Sequence, residues 1–406
     1  MTNKLPIGWT LKRLGDITER ITRKNTINNN NVLTISAEHG FISQDKFFTK
    51  IVASKDLSKY ILLYKGDFCY NKSYCRGYPY GVFRKLKNYD VGVATSLYIY
   101  FKIIEGDSTF FEYLFDVGTL NKQLSIISQE GVRNHGLLNV PIEDFFNMTV
   151  PFPPIDEQKR IAEVLSLCDK LIENLTKLIE KKEIYKKGVM QRVLSGEVRF
   201  NGFTDEWETV RLGDIAIITS AGVDKKINDN ETKVRLLNYL DVFNRNKLYD
   251  NEISFITSAN ENQIKKCDIK KGDLFITPSS EDREGIAKSA VAMEDFTNVV
   301  YSYHIIRLRF NREIDLKFKS YMCDTALFHR QAYRLCDGSG QRYVISLGTF
   351  REMEIYIPKS VEEQKKIGEL LSLIDQDIDN LKQLLHLRKL QKKGLMQKLL
   401  TGEVRI

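Results

Sequence analysis

The sequence predicts an α+β protein in which two α/β-type modules, related by a pseudo-twofold axis, are joined by two long antiparallel coiled-coil helices. Three observations support this prediction. A helix-like segment occurs twice, a short tryptophan motif occurs twice, and the stretches between them show strand-like patterns. The chain has 406 residues, whereas a single core rarely grows beyond ~250–300 residues. We therefore expect more than one domain.

The helix-like segment 155–200 returns as 361–406 at a constant offset of 206 residues, and 23 of the 46 aligned positions are identical. Sequence from Trp9 (WTLKRLGDI) likewise resembles sequence from Trp207 (WETVRLGDI), and Lys-Gly-Asp occurs at 65–67 and 271–273. A repeat of fixed period determines the architecture. Because the stretches between the copies are long and dissimilar, we expect two variable modules on a symmetric frame.

Apolar residues recur within each copy in alternating steps of four and three, which is the spacing of a coiled-coil seam. The residues between them are mostly charged or amide-bearing, as on a solvated helix face. Either each helix packs only on its own module or the two helices pair, and we favour antiparallel pairing. The seam positions are Ile161, Leu165, Cys168, Ile172, Leu175 and Ile179, and then Ile367, Leu371, Ile374, Ile378, Leu381 and Leu385.

Prolines and glycines predict where these helices begin and end. Proline-containing sequence at 151–154 and at 358 blocks helix propagation from upstream, and glycine at 196 and 402 supplies a stop. The first helix is thus predicted from about 156 to about 194. Equivalent glycines at 188 and 394 indicate a kink or a close helix crossing.

The closing sequence Lys-Lys-Gly-x-Met-Gln…Gly-Glu-Val-Arg is more nearly identical between the copies than the seam region. It is either a shared helix-termination motif or a docking surface that an identical partner uses twice. We favour the docking surface, since one partner would restrain both copies equally.

The stretches between the repeats alternate β-branched and aromatic runs with turns, and each also has one helical pattern. The predicted strands are 32–36, 61–64, 67–70 and 94–103 in the first module, and 234–237, 273–277 and 299–310 in the second. The predicted helical stretches are 108–127 and 315–333.

The loop after the Gly-Asp strand, here named the post-strand loop, interleaves basic, amide, hydroxyl and aromatic side chains with glycines. Arginine and lysine contact phosphate or guanine, asparagine pairs with adenine, and tyrosine packs on sugars or bases. The DNA-binding candidates in the first module are Asn71, Lys72, Ser73, Tyr74, Arg76 and Tyr78. Those in the second module are Ser279, Ser280, Arg283 and Lys288.

A second loop, the pre-proline loop, precedes each proline-containing stretch, at 131–135 and 338–343. Its DNA-binding candidates are Arg133 and Asn134 in the first module, and Gln341 and Arg342 in the second. Taken singly, each of these residues is better explained as part of an ordinary surface loop. As sets at corresponding places with different side chains, the loops indicate two modules that read different targets.

Composition and missing motifs exclude several classes of protein. The net charge of +8 favours an anionic partner such as nucleic acid, although a lysine-rich background composition explains the charge alone equally well. Phosphate-binding, dinucleotide-binding and hydrolase motifs are missing, and the six cysteines and five histidines lack metal-ligand spacing. We expect no catalytic residue, no metal and no cofactor in this chain. Without a signal-peptide pattern or a long uncharged apolar stretch, we expect a cytoplasmic protein with no membrane partner.

The paired half-repeats resemble the specificity subunit of type I restriction–modification systems. The resemblance covers essentially the whole chain, and its most specific parts are Glu157-Gln158, Glu363-Gln364 and the two Gly-Glu-Val-Arg tails. It implies two target recognition domains, each reading one half of a bipartite double-stranded DNA site. It also implies helices that set the spacing and dock two modification (methyltransferase) subunits, with restriction subunits assembling on that core. S-adenosylmethionine, Mg²⁺, methylation and ATP-dependent cleavage would belong to these partners.

On this basis residues 1–150 and 203–357 are predicted to be the recognition domains, and 151–202 and 358–406 the conserved helical regions. Two other functions stay open at this point. One is a basic helical scaffold that assembles other subunits without reading DNA sequence. The other, a stand-alone DNA methyltransferase or nuclease, is disfavoured by the missing cofactor and metal motifs.

Overall fold

The structure is a computed structural model that describes residues 5–47, 54, 56–73, 77–130, 136–220, 222–340 and 342–406. The chain divides into two compact units. Unit 1 comprises Met1–Thr176 and Leu384–Ile406, and unit 2 comprises Lys177–Gln383. Unit 1 is therefore built from two separate parts of the chain, whereas unit 2 is continuous. The four contiguous segments expected from the sequence stay a prediction.

Unit 1 contains an antiparallel four-stranded sheet in the order Thr18–Arg20, Ile99–Ile103, Phe68–Asn71, Val82–Lys85. Its paired strands outside this sheet are Thr10–Arg13 with Thr149–Phe152, Leu33–Ser36 with Gly40–Ser43, Ile61–Tyr64 with Val91–Ala94, and Gln129–Glu130 with Leu138–Asn139. Its short helices are Leu14–Ile17, Gln44–Phe47, Ser108–Asp116, Asn121–Ile127 and Ile142–Asn147.

Unit 2 repeats this sheet as Ala216–Thr219, Ile306–Phe310, Leu274–Ile276, Ser289–Ala292, with Lys247–Leu248 added in parallel at the end. Its other sheets are Ile256–Ala259, Thr232–Leu237, Val299–Tyr301; Ser279–Ser280, Arg342–Val344, Asp337–Ser339; and Glu208–Arg211 with Glu354–Ile357. Its short helices are Leu212–Ile215, Tyr239–Phe243, Asp250–Glu252 (3₁₀), Glu261–Lys266, Leu316–Lys319, Ala326–Leu335 and Leu347–Glu352.

The predictions of one long strand over 94–103 and one over 299–310 are wrong. Each run is two strands separated by a turn, at 95–98 and at 302–305. The cause is local: the Thr95 hydroxyl accepts from the amide of Leu97 (3.4 Å), and the Ser302 hydroxyl accepts from the amide of His304 (3.3 Å). Such side-chain bonds to the backbone compete with the sheet ladder. We name these segments the lead-in turns.

The predicted helical stretch 108–127 is likewise divided, into Ser108–Asp116 and Asn121–Ile127. Gly118 lies between them with a φ of +75°, a conformation that glycine adopts without strain. The stretch 315–333 is also two helices, Leu316–Lys319 and Ala326–Leu335.

The two long helices are confirmed as Ile155–Val193, the central helix, and Val361–Leu399, the C-terminal helix. All the predicted seam positions are buried or half-buried. Gly196 and Gly402 end the helices with φ values of +74° and +72°. Both helices run through the glycines at 188 and 394, and a Cβ at either would meet no atom within 4 Å. Of the two alternatives predicted for these glycines, the close helix crossing is therefore wrong, and the kink stays a prediction.

Within each unit, part of the central helix pairs antiparallel with part of the C-terminal helix. In unit 1, Asp169 bonds to Lys392 (2.5 Å). In unit 2 the ion pairs Lys182–Asp377, Lys186–Asp375 and Glu183–Lys382 link the helices.

In each unit, a buried glutamate near the start of one long helix binds an arginine from the tail that follows the other long helix. In unit 1 Nε and Nη2 of Arg405 donate to Glu157 (2.8 and 2.7 Å), and the Trp9 indole N–H donates to the same carboxylate (3.1 Å). In unit 2 Arg199 and Trp207 bond to Glu363 in the same way, at 2.8, 2.8 and 3.2 Å. The neighbouring Gln158 and Gln364 are fully buried and bond to backbone. Intrachain bonding therefore accounts for the arginine of the repeated tail.

Candidate nucleic-acid interface

In each unit the post-strand loop and the lead-in turn lie at the same end of the strands of the antiparallel sheet, which is called here the sheet edge. In unit 1, Tyr70 is paired with Ile99, so the residues after Tyr70 lie beside the turn before Ile99. In unit 2, Ile276 is paired with Ile306 in the same register. Thr219 pairs with Arg307, which brings the segment after Thr219 to this edge as well.

The structure brings the two predicted loops of unit 2 together in one small sheet. Strand Ser279–Ser280 of the post-strand loop pairs with Arg342–Val344, which in turn pairs with Asp337–Ser339. The amide of Ile345 also donates to the carbonyl of Pro278 (2.8 Å). The pre-proline loop is thus an exposed β-hairpin that lies against the post-strand loop.

Unit 1 has the same arrangement. Strand Gln129–Glu130 pairs with Leu138–Asn139, Ser73 forms a bridge with Leu137, and the amide of Leu138 donates to the carbonyl of Lys72 (2.9 Å). The predicted candidates Tyr74, Arg76, Arg133 and Asn134 lie outside the described residues, as does Gln341 in unit 2.

Arg283 is a basic residue at the sheet edge of unit 2, and its guanidinium contacts two tyrosine rings. Its guanidinium lies 5.6 Å from the ring centroid of Tyr333 and 5.1 Å from that of Tyr343. Cation–π contacts of this kind hold a guanidinium in place while leaving its N–H donors available. Arg342 is exposed on the hairpin, and Ser279, Ser280 and Lys288 are half-buried around the loop.

In unit 1 the candidates divide into one buried and several accessible side chains. Asn71 is 7% exposed, its amide donates to the carbonyl of Ile35 (2.9 Å), and its oxygen accepts from the amide of Ser73 (2.9 Å). This side chain therefore holds the loop rather than facing solvent. Lys72, Ser73 and Tyr78 are half-exposed, and Tyr78 lies 5.7 Å from the guanidinium of Arg84.

The lead-in turn carries side chains that the sequence patterns did not single out. Tyr303 is half-exposed, and its ring centroid lies 3.9 Å from that of His304. Burial, and then the charges of Lys225 and Arg342, keep the pKa of His304 below its ordinary value of 6.5, with Asp224 opposing. The sequence signal was limited to a threonine or serine inside a run rich in β-branched and aromatic residues.

A second feature occurs once in each unit, beside the end of a long helix. Apolar pockets of about 380 Å³ in unit 1 and about 340 Å³ in unit 2 are lined by corresponding parts of the repeat. These residues are Met396, Gln397, Leu400 and Thr401 in unit 1, and Met190, Gln191, Leu194 and Ser195 in unit 2. The repeated Met-Gln-x-x-Leu sequence therefore forms the same concave surface twice.

Among the described residues, no group of three or more His, Cys, Asp or Glu side chains is placed to hold a metal ion. None of the helices in the described part of the chain is long and apolar enough to cross a membrane.

Comparison with known proteins gives a consistent match. A family model for the type I restriction modification DNA specificity domain matches residues 6–183 and again 204–387. The specificity subunit of the type I restriction enzyme MjaVIII from Methanocaldococcus jannaschii is 27% identical over 281 residues, covering 67% of this chain and 65% of that protein. A putative MjaX specificity subunit from the same organism is 34% identical over 77 residues, covering 17% of this chain and 18% of that protein. The alignments thus span less than two thirds of either relative.

Solved structures share the fold over nearly the full chain. The S subunit of a type I restriction–modification system from M. genitalium has a TM-score of 0.53 at 16% identity, covering 98% of this chain and 97% of that one. A chain from a structural study of complex assembly and conformational transition in a type I R-M system has a TM-score of 0.58 at 18% identity, covering 99% and 100%.

Proposed function

The chain belongs to the type I restriction modification DNA specificity family, whose model matches both of its halves, and we propose that it is the subunit that recognises DNA sequence in a type I restriction–modification complex. Each recognition module would read one half of a bipartite double-stranded site. Residues 1–150 and 203–357 would carry the two modules, and residues 151–202 and 358–406 the frame between them.

One observation carries this proposal. In both units the post-strand loop lies against the paired strands of the pre-proline loop, and the side chains at equivalent positions differ. The backbone contacts that join loop and hairpin are equivalent, Leu138 to Lys72 and Ile345 to Pro278. A frame that stays constant while its exposed side chains diverge suits two readers of different DNA sequences, because base identity is read by side chains.

In the second module, Arg283 and Arg342 would donate to guanine or phosphate, and Gln341 would pair with adenine. Ser279 and Ser280 would add hydrogen bonds, and Lys288 would contact phosphate. The support for Arg283 is its contact with two tyrosine rings, which leaves little side-chain entropy to lose on binding.

In the first module, Lys72, Ser73 and Tyr78 would contact DNA directly. Tyr74, Arg76, Arg133 and Asn134 belong to the same two loops and remain proposed contacts. Asn71 takes a different role in this proposal, because its amide already bonds to Ile35 and Ser73. It would position the loop rather than touch a base.

The long helices would set the spacing between the half-sites and dock two modification subunits. The duplicated apolar pockets support docking, since one partner present in two copies would use each pocket alike. Exposed leucines at equivalent helix positions support it further, Leu167 with Leu373 and Leu178 with Leu384. Restriction subunits would assemble on that core.

Methylation and ATP-dependent cleavage would be carried out by these partners, which would hold S-adenosylmethionine and Mg²⁺. The chain itself would act as a non-catalytic subunit in the cytoplasm. The net charge of +8 is consistent with a DNA partner.

The test is to express the chain with its cognate modification subunit and to sequence the methylated adenines of the host genome. Two short specific sequences separated by a constant spacer are expected. A scaffold that does not read DNA would leave methylation without such a pattern. A second arm measures binding of the complex to DNA with and without the deduced site, and specific DNA should bind at least ~10³-fold more tightly.

A further inference from the structure

The lead-in turns lie directly beside the loops already assigned to DNA contact. In unit 1 the turn precedes Ile99, which is paired with Tyr70, the residue before the post-strand loop. In unit 2 the turn precedes Ile306, which is paired with Ile276. A side chain at the tip of either turn therefore shares the sheet edge with the post-strand loop.

The backbone of this turn is held in the same way in both units. The hydroxyls of Thr95 and Ser302 each accept from the amide two residues later. In unit 1 the Tyr100 hydroxyl also donates to the carbonyl of Thr95 (2.7 Å). In unit 2 Ile305 is fully buried beneath the turn. Both turns are thus firmly anchored and present their tips outward.

The tips differ in chemistry although the anchors are equivalent. Leu97 is 56% exposed in unit 1, and Tyr303 is 50% exposed in unit 2, where it packs against His304. None of these three side chains belongs to the buried cores of the described residues. The lead-in turns therefore resemble the post-strand and pre-proline loops, because their backbone contacts are the same in both units while their exposed side chains differ.

Relying on the function proposed above, we propose that the lead-in turn is a third base-reading element, with Leu97 and the Tyr303–His304 pair determining one position in each half-site. An isobutyl group cannot bind phosphate, but it can contact the methyl group of thymine. His304 can hydrogen-bond to a base edge while Tyr303 packs against it.

The charge state of His304 agrees with base contact. Because its pKa lies below the ordinary value of 6.5, the imidazole is mostly neutral at pH 7, and the neutral ring offers one N–H donor and one acceptor. A neutral ring is a poor phosphate ligand and a suitable partner for a base edge. Lys225 and Arg342 are the nearby cations, and Asp224 is the nearby anion.

The experiment uses the whole chain in complex with the modification subunit. Methylation rates are measured on duplexes that carry every single base-pair change across both half-sites. Leu97→Ala should reduce discrimination between thymine and cytosine about five- to tenfold at one position of the half-site read by unit 1. His304→Ala should do the same at one position of the other half-site, and His304→Gln should alter the preferred base there.

The matched controls are Ile104→Ala and Asn311→Ala, which lie at the opposite ends of the same two strands. They should leave all preferences unchanged. If Leu97→Ala and His304→Ala keep the parental preference at every position while Arg283→Ala changes one, the turn does not read bases and the proposed function stands. A uniform loss over all sequences would also overturn base reading. If the parental complex shows no bipartite preference at all, the proposed function itself fails.

Discussion

Arg405 donates two hydrogen bonds to Glu157, which lies 248 residues earlier in the chain. The tail after the C-terminal helix therefore completes unit 1, whereas in unit 2 Arg199 occupies the equivalent position on Glu363. The glutamate of each copy of the repeat is thus bound by the arginine of the other copy.

Arg405→Ala should destabilise unit 1 and spare unit 2, because among the described residues it leaves Trp9 as the one hydrogen-bond donor to the buried Glu157 carboxylate. Hydrogen exchange should become faster in strand Thr10–Arg13 and stay unchanged in strand Glu208–Arg211. Arg199→Ala should give the opposite pattern. Glu403→Ala, at an exposed position of the same tail, is the control. Equal effects of Arg405→Ala on both strands would contradict the assignment.

The same cluster should make the stability of unit 1 sensitive to acid. Hydrogen bonds from Arg405 hold the pKa of Glu157 below its ordinary value of 4.5. A carboxylate with a lowered folded-state pKa contributes stability above about pH 4.5, which is lost as pH falls through the folded-state value. Glu157→Gln should be less stable than the parent at pH 7, with a shallower loss in acid.

That difference can be measured by urea unfolding at intervals from pH 7 to pH 3, with a fluorescent label in unit 1. Parallel acid profiles of the parent and Glu157→Gln would show that the ion pair contributes no pH-dependent stability. Glu403→Gln provides a variant of equal charge change at an exposed site of unit 1.

Arg283→Ala should affect only the half-site read by the second module. If the guanidinium is bidentate to guanine, its removal costs ~1–3 kcal/mol and relaxes one base position. If it contacts phosphate, binding weakens for all sequences alike and the salt slope falls by about one. Arg351→Ala, an exposed arginine on helix Leu347–Glu352, is the control. Parental binding and methylation by Arg283→Ala would exclude this contact.

Shortening both long helices by one heptad should shorten the spacer of the DNA site. A heptad is ~10 Å of helix, or about three base pairs at ~3.4 Å each. Deleting 170–176 together with 376–382 removes equivalent residues of the repeat and retains the Asp169–Lys392 and Lys186–Asp375 ion pairs. Sequencing of methylated sites should show both half-sites unchanged. An unchanged spacer would rule out a ruler function.

A charge at the rim of each apolar pocket should remove one modification subunit. Leu11→Asp alters the pocket of unit 1 and Leu327→Asp that of unit 2, at side chains that are 57% and 48% exposed. Native mass spectrometry should show one bound modification subunit for each single variant and none for the double variant. Ile217→Asp, 63% exposed and outside both pockets, should retain two. Two bound subunits in the double variant would place docking elsewhere.

The long helices, each 39 residues in length, could be predicted from sequence because a heptad seam that occurs twice at the same positions of the repeat leaves little ambiguity. The antiparallel pairing followed from the duplication. Which glutamate each tail arginine would bind could not be predicted, because the repeat offers Arg405 two equivalent carboxylates, Glu157 and Glu363. Only tertiary structure distinguishes between them.

The predictions of the strands 94–103 and 299–310 were wrong for a local reason. The strand-like residue pattern continues through Thr95 and Ser302, whereas at each place a single hydrogen bond from a backbone amide to the hydroxyl oxygen ends the first strand. Within the candidate site, equivalent loop positions were apparent from the repeat. The pairing of loop and hairpin was not, since it joins Ser279–Ser280 to Arg342–Val344 across more than 60 residues. The burial of Asn71 could not be predicted either, because the sequence of its loop is polar.

The discontinuity of unit 1 also determines the order in which the protein can be completed during synthesis. Unit 2, residues 177–383, is continuous and has all its parts once Gln383 has left the ribosome. Unit 1 still lacks residues 384–406 at that moment, although most of it was made first. At about 5–20 residues per second, its first part waits roughly 10–50 s for the last. During that interval the indole of Trp9 and the carboxylate of Glu157 are without Arg405, so the half of the protein made first is the half that finishes folding last.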